Sequence, residues 1–332
     1  MTIAPVRILG VGVHAPGRLV TSEQIDARLG RSPGWSERTT GVRERRFAVE
    51  GETASSMGEA AARAALAHAG LEARELSAVL GACAVMEQPI PGTSVLVHAR
   101  LGLGASGVPA LDVNATCLGF LAALKLAALQ IAAGAWERVL IVAADLASAA
   151  LDLDDPGTAP LFGDGAAAVV LGRGEPCDAA GLRSWRMETY SEGAEAAWLG
   201  AGGSRLPARN LDALVAEARF RMDGPLAYRI AAERMPALVN RVLAEAGNTL
   251  DEVDWIVPHQ ASGRGLQLMA ARLGVPKAKV VRILETHGNQ VAASLPTALA
   301  TAVLDGRIPP GRRLLLLGSG AGVSLAGAVL DV

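Results

Sequence analysis

Short apolar runs alternate along the chain with longer segments rich in alanine and leucine. The runs VRILGVGV, SAVLGACAV, RVLIVAA and AAAVVLG have the length and composition of buried strands. The segments TASSMGEAAARAALAHAG and LGFLAALKLAALQIAAGAW have the composition of helices. Strands that alternate with helices predict an α/β fold whose parallel or mixed sheets are covered by helices.

An internal repeat indicates that this fold is duplicated. Residues 65–80 align without a gap on residues 242–257, and each copy reads as a helix, a glycine stop, a turn and a strand. A second match, shifted by one short indel, places Cys117 opposite Asn289. Alanine-rich helices can also match by chance. The duplication is favoured because potentially reactive residues stand at matching ends of the two copies.

The repeat divides the chain into two similar halves and a segment between them. We expect a first half at residues 1–172 and a second half at residues 226–332. Residues 173–225 have no counterpart in the first half and are polar and loop-like, so we interpret them as an insertion that caps a site or lines its entrance.

Composition and charge exclude several classes of protein. The 332 residues are 51% hydrophobic but only 3% aromatic, which suits closely packed layers of small side chains. A net charge of −2 offers no basic field for nucleic acid. Three scattered cysteines provide neither a disulfide framework nor a metal cluster, and the first residues lack a signal-peptide pattern, so a cytoplasmic protein is expected.

The longest uncharged apolar run, from Leu314 to Leu330, bears on a membrane location. It is slightly shorter than a membrane-spanning helix needs and contains four glycines. We therefore predict a buried strand, a glycine loop and a second strand, and no association with a membrane.

Cys117 is the leading candidate nucleophile. A strand-like ALDV leads through the polar turn Asn114-Ala115-Thr116 into the long apolar helix that begins near Cys117. At a helix N-terminus, free amide groups and the helix dipole favour an anion, so the sequence predicts a lowered thiol pKa. The competing interpretation is a small buried hydrophobe, because most free cysteines have that role.

His259 and Asn289 are the candidate partners of Cys117. His259 directly follows the predicted strand DWIVP, and residues just past strand ends line the ligand crevice of α/β sheets. Asn289 stands at a turn that leads into a helix, where it either caps the helix or donates a hydrogen bond into the site. His287, two residues before Asn289, is an alternative base.

The glycine-rich segments do not fit a dinucleotide site. GSGAG at residues 318–322 lacks the third glycine of the fingerprint and runs into a strand, whereas a nicotinamide site requires a strand, a glycine turn and a helix. The same loop can bring backbone amides close to a ligand oxygen and thereby form an oxyanion hole.

Taken together, these motifs resemble the β-ketoacyl-acyl-carrier-protein synthase III family of the thiolase superfamily. The resemblance covers the whole chain and rests on motifs that occur in the family's order. They are DVNATCLGF, FGDGAAAVVL, PHQAS, HGNQVAASLP and GSGAGVSLAG. The resemblance implies a thiolase-like fold with duplicated halves in a five-layered αβαβα arrangement, usually as a homodimer.

The resemblance also implies a reaction and a role for each motif residue. Cys117 takes up an acyl group as a thioester, and His259 and Asn289 hold the carbonyl of a malonyl-type thioester during decarboxylation. The amides of Cys117 and Ala321 form the oxyanion hole. The product is a β-ketoacyl thioester of fatty-acid or polyketide type. The substrates are phosphopantetheine thioesters of acyl carrier protein or coenzyme A, and no tightly bound cofactor or metal is needed.

The motif associated with coenzyme A is only partly present. Trp35 matches the aromatic residue that stacks on adenine. The family's usual arginine is Thr39 here, with Arg38 beside it as a possible substitute, and a second usual arginine is Pro156. A carrier-bound acyl chain is therefore favoured over acetyl-coenzyme A as the donor.

Three further positions concern the carrier and the acyl chain. Arg264 matches a basic residue associated with docking of the carrier protein, and Ser262 replaces the usual asparagine of that motif. Ile90 falls where the family often has a phenylalanine that limits acyl length from the dimer partner. These positions are the candidate substrate-binding residues, together with Trp35 and Arg38.

Other functions are also compatible with the sequence. An enzyme of the same fold could transfer the acyl group to a hydroxyl or amine, or join two acyl chains without decarboxylation. The chain could also serve as a non-catalytic partner subunit, although the complete Cys/His/Asn set argues against that. A papain-like cysteine protease fits poorly because that fold is not duplicated.

Overall fold

The structure is a computed structural model that describes residues 4–174, 180–207 and 209–332. Cys177 therefore lies outside the described residues. The strands are β1 (Val6–His14), β2 (Arg18–Thr21), β3 (Glu44–Phe47), β4 (Ala78–Gly81), β5 (Ala110–Asp112), β6 (Arg138–Asp145), β7 (Gly165–Arg173), β8 (Gly181–Thr189), β9 (Ala197–Trp198), β10 (Arg221–Met222), β11 (Trp255–Pro258), β12 (Arg313–Gly320) and β13 (Ser324–Asp331). The α-helices are α1 (Ser22–Arg28), α2 (Trp35–Thr40), α3 (Ala54–Ala69), α4 (Thr93–Arg100), α5 (Gly119–Ala132), α6 (Leu211–Glu217), α7 (Gly224–Ala246), α8 (Gly263–Leu273), α9 (Leu284–His287) and α10 (Ser294–Leu304).

Two mixed sheets form the framework, and they have the same topology. The first has the order β1-β7-β6-β4-β5, in which β6, β4 and β5 are parallel and β7 is antiparallel to both its neighbours. The second has the order β8-β13-β12-β11, with β11 and β12 parallel and β13 antiparallel to both its neighbours. Next to β11, Ile256 forms a single parallel bridge with Val280, and this bridge occupies the edge position that β5 has in the first sheet.

The predicted repeat coincides with this duplication. At the offset of 177 residues found in the sequence, β4 falls on β11, and α3 and α7 end together at Gly70 and Gly247. Both glycines have a left-handed φ, of 66° and 69°, which ends each helix without the steric cost that a side chain would add. At the second offset, α5 and α10 end together.

The structure differs from the predicted insertion at residues 173–225. Residues Gly181–Thr189 form β8, an edge strand of the second sheet that pairs with β13 along its length. Its position corresponds to that of β1 in the first sheet. The part that lies outside both sheets therefore starts after β8 and includes the short strands β9 and β10 and the helix α6.

Packing between the elements gives five layers. The largest hydrophobic cluster places α5 and α10 between the two sheets, where Leu124 and Leu299 pack with Ile141 and Leu316. A second cluster joins α3 and α4 to the outer face of the first sheet, and a third joins α7 and α8 to the outer face of the second. The predicted αβαβα arrangement with mixed sheets is confirmed.

The apolar run from Leu314 to Leu330 forms β12, a tight turn and β13, as predicted. Buried strands must be apolar on both faces, which explains why the run lacks charge. Among the helices of the described residues, none combines the length and the hydropathy that crossing a bilayer requires.

The contact between β1 and α3 depends on two glycines. A Cβ atom built on Gly10 would lie 2.2 Å from the carbonyl oxygen of Ala65, and one on Gly12 would lie 2.3 Å from that of Ala61. The helix backbone therefore lies directly on the strand. No side chain fits there unless the two elements separate.

We predict that Gly12→Val lowers the free energy of unfolding by about 1 to 3 kcal/mol, because overpacking forces α3 away from β1. Chemical denaturation followed by circular dichroism measures the change. Gly104→Val is the matched control, since a Cβ at Gly104 meets nothing within 4 Å. Equal stabilities of the two variants would contradict this account of the contact.

Candidate active site

Cys117 stands in a sharp turn between β5 and α5. The turn is closed by hydrogen bonds from the amides of Leu118 and Gly119 to the carbonyls of Ala115 and Thr116, at 3.0 and 2.9 Å. Thr116 has a φ of 50°, which is unusual for a residue with a branched side chain. Strained backbone of this kind is concentrated at functional sites, because it fixes the direction of a neighbouring side chain.

His259 follows β11 directly and is buried. Its amide donates to the carbonyl of Leu317 at 2.7 Å, which continues the pairing of β11 with β12. The next residue, Gln260, fixes this turn from within the core. Its side chain donates to the carbonyl of Val281 at 3.2 Å and accepts from the amide of Ile283 at 3.1 Å.

The side-chain amide of Asn289 is oriented by its neighbours. Its Oδ1 accepts from the amide of Val291 at 2.9 Å, and its Nδ2 donates to the carbonyl of Ala261 at 3.3 Å. An amide nitrogen carries two hydrogens. The second hydrogen of Nδ2 has no acceptor among the described residues and is available to a ligand.

These side chains line one cavity of about 760 Å³. Cys117, His259, Asn289 and Ala321 all contribute to its wall, although they come from both halves of the chain. The rest of the wall is mainly alanine, leucine, methionine and aromatic side chains. Among the described residues, no Asp or Glu lines this cavity.

Burial, rather than the helix dipole, dominates the acidity of Cys117. Desolvation raises the pKa of its thiol to about 12, and the nearby Asp145 carboxylate adds to the rise. The expected lowering of the pKa is therefore wrong. The predicted helix begins two residues after Cys117, and its dipole does not offset the loss of hydration.

Two backbone amides partly offset the rise in the pKa of the Cys117 thiol. Hydrogen bonds from the amides of Cys117 and Ala321 lower the thiol pKa, although less than burial raises it. Gly320 makes this approach possible, because a Cβ there would lie 2.7 Å from Thr116 Oγ1 and 3.5 Å from the Cys117 nitrogen. Both predicted oxyanion-hole amides therefore point at the sulfur.

His259 is uncharged at neutral pH. Burial lowers its pKa to about 4, and no carboxylate contributes to the shift. An uncharged imidazole carries one N–H donor and one acceptor nitrogen. Cys117 and His259 therefore face the cavity as a neutral thiol and a neutral imidazole, and not as a thiolate–imidazolium pair.

Asp145 is a buried residue next to the site, outside the cavity wall, and the sequence reasoning missed it. Its carboxylate accepts from the amides of Ala84 and Val85 at 2.8 and 2.7 Å, in the first half, and from Ala293 at 3.2 Å, in the second. Burial raises its pKa to about 7. The only signal in the sequence is an acidic residue at the end of the apolar run RVLIVAAD.

Two of the candidate residues for coenzyme A, Trp35 and Arg38, lie outside the cavity wall. Arg31 covers one face of the Trp35 ring, with its guanidinium carbon 4.9 Å from the ring centroid. Arg38 donates to the carbonyl of Pro33 at 3.3 Å, within its own loop. Thr39, which replaces the usual arginine, does line the cavity.

The remaining candidates have different surroundings. Ser262 and Arg264 line the cavity, and the Ser262 hydroxyl caps α8 by accepting from the amide of Gly265 at 3.1 Å. Ile90 is 86% exposed and does not line the cavity of its own chain. His287, the alternative base, lines a different cavity of about 190 Å³.

We predict that iodoacetamide modifies Cys117 slowly at neutral pH, and that the rate rises by about tenfold per pH unit from pH 7 to pH 10, because only the thiolate reacts. Peptide mapping by mass spectrometry measures the rate at Cys117 separately from that at Cys83. Cys117→Ser gives the background. A rate that levels off near neutral pH would show a stabilised thiolate and contradict the effect of burial.

Two family profiles match the chain. Residues 243–332 match the C-terminal domain of 3-oxoacyl-(acyl-carrier-protein) synthase III, and residues 111–193 match a second domain of the same enzyme. The first includes His259, Asn289 and Ala321, and the second includes Cys117.

Relatives match over nearly the full length. The chain is 37% identical over 330 residues to β-ketoacyl-(acyl-carrier-protein) synthase III 3 of Streptomyces coelicolor, covering 99% of this chain and 98% of that protein. It is 38% identical to the synthase III of Laribacter hongkongensis, covering 98% of each.

Solved structures agree with this result. The 3-oxoacyl-(acyl-carrier-protein) synthase III of Aquifex aeolicus superposes with a TM-score of 0.89 at 33% identity, covering 98% of this chain and 100% of that one. The priming β-ketosynthase of the R1128 polyketide pathway also gives 0.89 at 33% identity, covering 98% and 96%. The chain therefore belongs to the β-ketoacyl-acyl-carrier-protein synthase III family of condensing enzymes, as its motifs predicted.

Proposed function

We propose that this enzyme uses Cys117, His259 and Asn289 to join an acyl group to a malonyl-type thioester with loss of carbon dioxide. Cys117 attacks an acyl thioester, the carrier leaves as a thiol, and the acyl group stays on Sγ. The second thioester then loses carbon dioxide, and its carbanion attacks the acyl carbon. The observation that carries the proposal is one cavity in which these three residues meet.

The first half-reaction depends on the two amides at the sulfur. The thiol is protonated at rest because burial raises its pKa to about 12. As the thioester is attacked, negative charge develops on its carbonyl oxygen, and the amides of Cys117 and Ala321 are in position to stabilise it. The thiol proton ends on the departing carrier thiol, so no charge remains in the apolar cavity.

The second half-reaction depends on neutral donors. Uncharged His259 has one N–H, and Asn289 Nδ2 has one hydrogen without an acceptor among the described residues. Both can donate to the carbonyl of the second thioester, where charge develops when carbon dioxide leaves. Fixed donors in a dry site stabilise such an enolate strongly, because they need no rearrangement.

The lining of the cavity favours decarboxylation over the joining of two simple acyl chains. Removal of a proton from the α-carbon of an acyl thioester needs a strong base in the site. The described cavity wall has no Asp or Glu, and His259 is a weak base because burial lowers its pKa to about 4. Loss of carbon dioxide generates the carbanion without a base.

We infer that the acyl donor is carried by an acyl carrier protein. Thr39 and Pro156 stand where the resemblance expects arginines for coenzyme A, and Trp35 is covered on one face by Arg31. Arg264 is exposed at the cavity, where it can attract an acidic carrier. A cytoplasmic location, where such carriers act, stays part of this proposal.

We also infer a homodimer formed through β5. This strand lies at the open edge of the first sheet, and an unpaired strand edge invites pairing with another chain. Leu111 of β5 is exposed, and so is Val95 of α4, the helix that packs against β5. Met86 and Ile90, in the segment before α4, are also exposed. A second copy would cover this surface and bring its Ile90 toward the acyl chain, as the resemblance implies.

We predict that His259→Ala and Asn289→Ala lower the rate of condensation by about 100- to 1,000-fold, because each removes a donor to the enolate. Both variants should still take up the acyl group on Cys117. Intact-protein mass spectrometry measures acyl uptake, and product mass spectrometry measures condensation. Cys117→Ala is the control that takes up no acyl group. If His259→Ala lost acyl uptake as well, the assigned division of roles would be wrong.

We predict that Arg264→Glu raises the KM for an acyl-carrier thioester by about fivefold, since an exposed ion pair contributes up to about 1 kcal/mol. High salt should reduce the difference. Steady-state kinetics measures it, with Arg307→Glu as a charge-reversed control outside the cavity wall. Equal or faster loading from the matching coenzyme A thioester would contradict the carrier preference.

A further inference from the structure

The backbone of Asn289 is paired with a short segment, residues 160–163, that lies just before β7. The amide of Asn289 donates to the carbonyl of Leu161 at 2.9 Å, and the amide of Gly163 donates to the carbonyl of Asn289 at 3.1 Å. These two bonds form a parallel bridge between Phe162 and Asn289. The position of Asn289 therefore depends on the position of residues 160–163.

The same segment lies directly between β3 and the turn that carries Asn289. A Cβ built on Gly163 would lie 2.2 Å from the carbonyl oxygen of His287, in that turn, and 3.0 Å from the Cβ of Arg45, in β3. No side chain fits at Gly163, so the three pieces of chain are in close contact. A shift of the middle piece would therefore displace the turn as well.

Arg45 of β3 fixes the first residue of this segment. Its side chain is completely buried, and Nη2 donates to the carbonyl of Pro160 at 2.6 Å. Burial lowers the pKa of the guanidinium to about 10, although the Asp26 carboxylate opposes the change, so Arg45 is charged at neutral pH. A hydrogen bond from a charged donor is stronger than one between neutral groups. Arg45 therefore holds the segment firmly at Pro160.

Pro160 is the contact through which Arg45 acts. Among the described residues, its carbonyl is the only hydrogen-bond acceptor of the Arg45 side chain, and the buried Nε and Nη1 have none. The carboxylate of Asp26 is bonded instead to the amide and hydroxyl of Ser36. A buried charge with a single hydrogen bond costs folding free energy. Arg45 is therefore better explained by the segment that it positions than by a gain in stability.

The link from Arg45 to Asn289 concerns the second half-reaction. Asn289 Nδ2 is one of the two donors assigned to the enolate, and a misplacement of about 1 Å can cost about 100-fold in rate. Cys117, in contrast, lies in a turn that is closed by its own hydrogen bonds, in which residues 160–163 take no part. A change at Arg45 should therefore affect condensation more than acyl uptake.

We propose, on the basis of the function proposed above, that Arg45 is a positioning residue for the decarboxylating half-reaction. Through the Pro160 carbonyl it holds residues 160–163 against Asn289, and it thereby directs Nδ2 of Asn289 at the enolate oxygen. Arg45 does not line the cavity, so it acts on the reaction only through other residues. Its loss slows condensation, while acyl uptake by Cys117 continues.

The test compares Arg45→Met with Arg46→Met in the full-length enzyme, with one acyl-carrier donor and malonyl carrier protein as the second substrate. Methionine is flexible and apolar, so it can fill the buried space without the charge or the donors. Arg46 is the matched control, because it is the next residue of β3 and also donates to a proline carbonyl, that of Pro16 at 3.1 Å. Intact-protein mass spectrometry measures acyl uptake, and product mass spectrometry measures condensation.

We expect Arg45→Met to lower the rate of condensation by about tenfold or more, with acyl uptake within about threefold of the wild-type rate. Arg46→Met should change neither rate by more than about twofold. Arg45→Lys keeps one charged donor, so it should lose less condensation than Arg45→Met and leave acyl uptake intact. If Arg45→Met does not fold, Arg45→Lys decides the outcome by the same comparison of the two rates.

Leu161 and Phe162 themselves line the cavity, so a second measurement separates their effect from that of Asn289. In an Asn289→Ala background, adding Arg45→Met should lower condensation by no more than about twofold further, because two changes that act through one group do not add. A further loss as large as that in the wild-type background would overturn the proposal.

Unchanged condensation in the Arg45 variants would also overturn the proposal, and so would equal losses of acyl uptake and condensation. A wild-type enzyme that takes up the acyl group on Cys117 but releases no β-ketoacyl product would instead refute the proposed function.

Discussion

A buried carboxylate joins the two halves of the chain at the place where the reactive residues meet. Asp145 ends β6 and accepts hydrogen bonds from Ala84 and Val85 in the first half and from Ala293 in the second. Breaking these hydrogen bonds would leave buried amides and a buried carboxylate without partners, which is costly. The segments that carry Asp145, Ala84 and Ala293 are therefore held in fixed positions relative to one another. The turn that carries Asn289 is thereby held against the half that carries Cys117. Because the enzyme's residues come from both halves, the rest of the site depends on this link.

The site holds its reactive groups in uncharged form. Cys117 has a pKa of about 12 and His259 one of about 4, both because of burial, and no carboxylate lines the described cavity. An apolar cavity suits acyl chains but would penalise a resting ion pair. The carboxylate of the malonyl-type thioester then brings the substrate's own negative charge, which passes to the thioester oxygen as carbon dioxide leaves. The proposed roles give each thioester oxygen fixed donors, namely backbone amides for the first oxygen and His259 with Asn289 for the second.

Most of the fold could be predicted from the sequence, because the duplicated halves share the same pattern of helices, glycine stops and strands. The gap-free repeat predicted the matching of β4 with β11 and the helix ends at Gly70 and Gly247, and the resemblance of the motifs to a known family implied the layered arrangement. It also predicted the elements that carry Cys117, His259 and Asn289. It did not reveal β8, whose place in the second sheet depends on pairing with a strand far along the chain. It gave the wrong direction for the Cys117 pKa, because burial depends on the packed layers and not on the adjacent helix.

In the proposed reaction, Cys117 accepts the acyl group within a cavity where neutral donors can bind a second thioester. The most direct test is intact-protein and peptide mass spectrometry after mixing the enzyme with an acyl-carrier thioester and no extender. We expect one acyl group per chain, located on Cys117, and we expect it to disappear with release of a β-ketoacyl product when a malonyl thioester is added. An unmodified Cys117, or an acyl group that the malonyl thioester leaves in place, would contradict it.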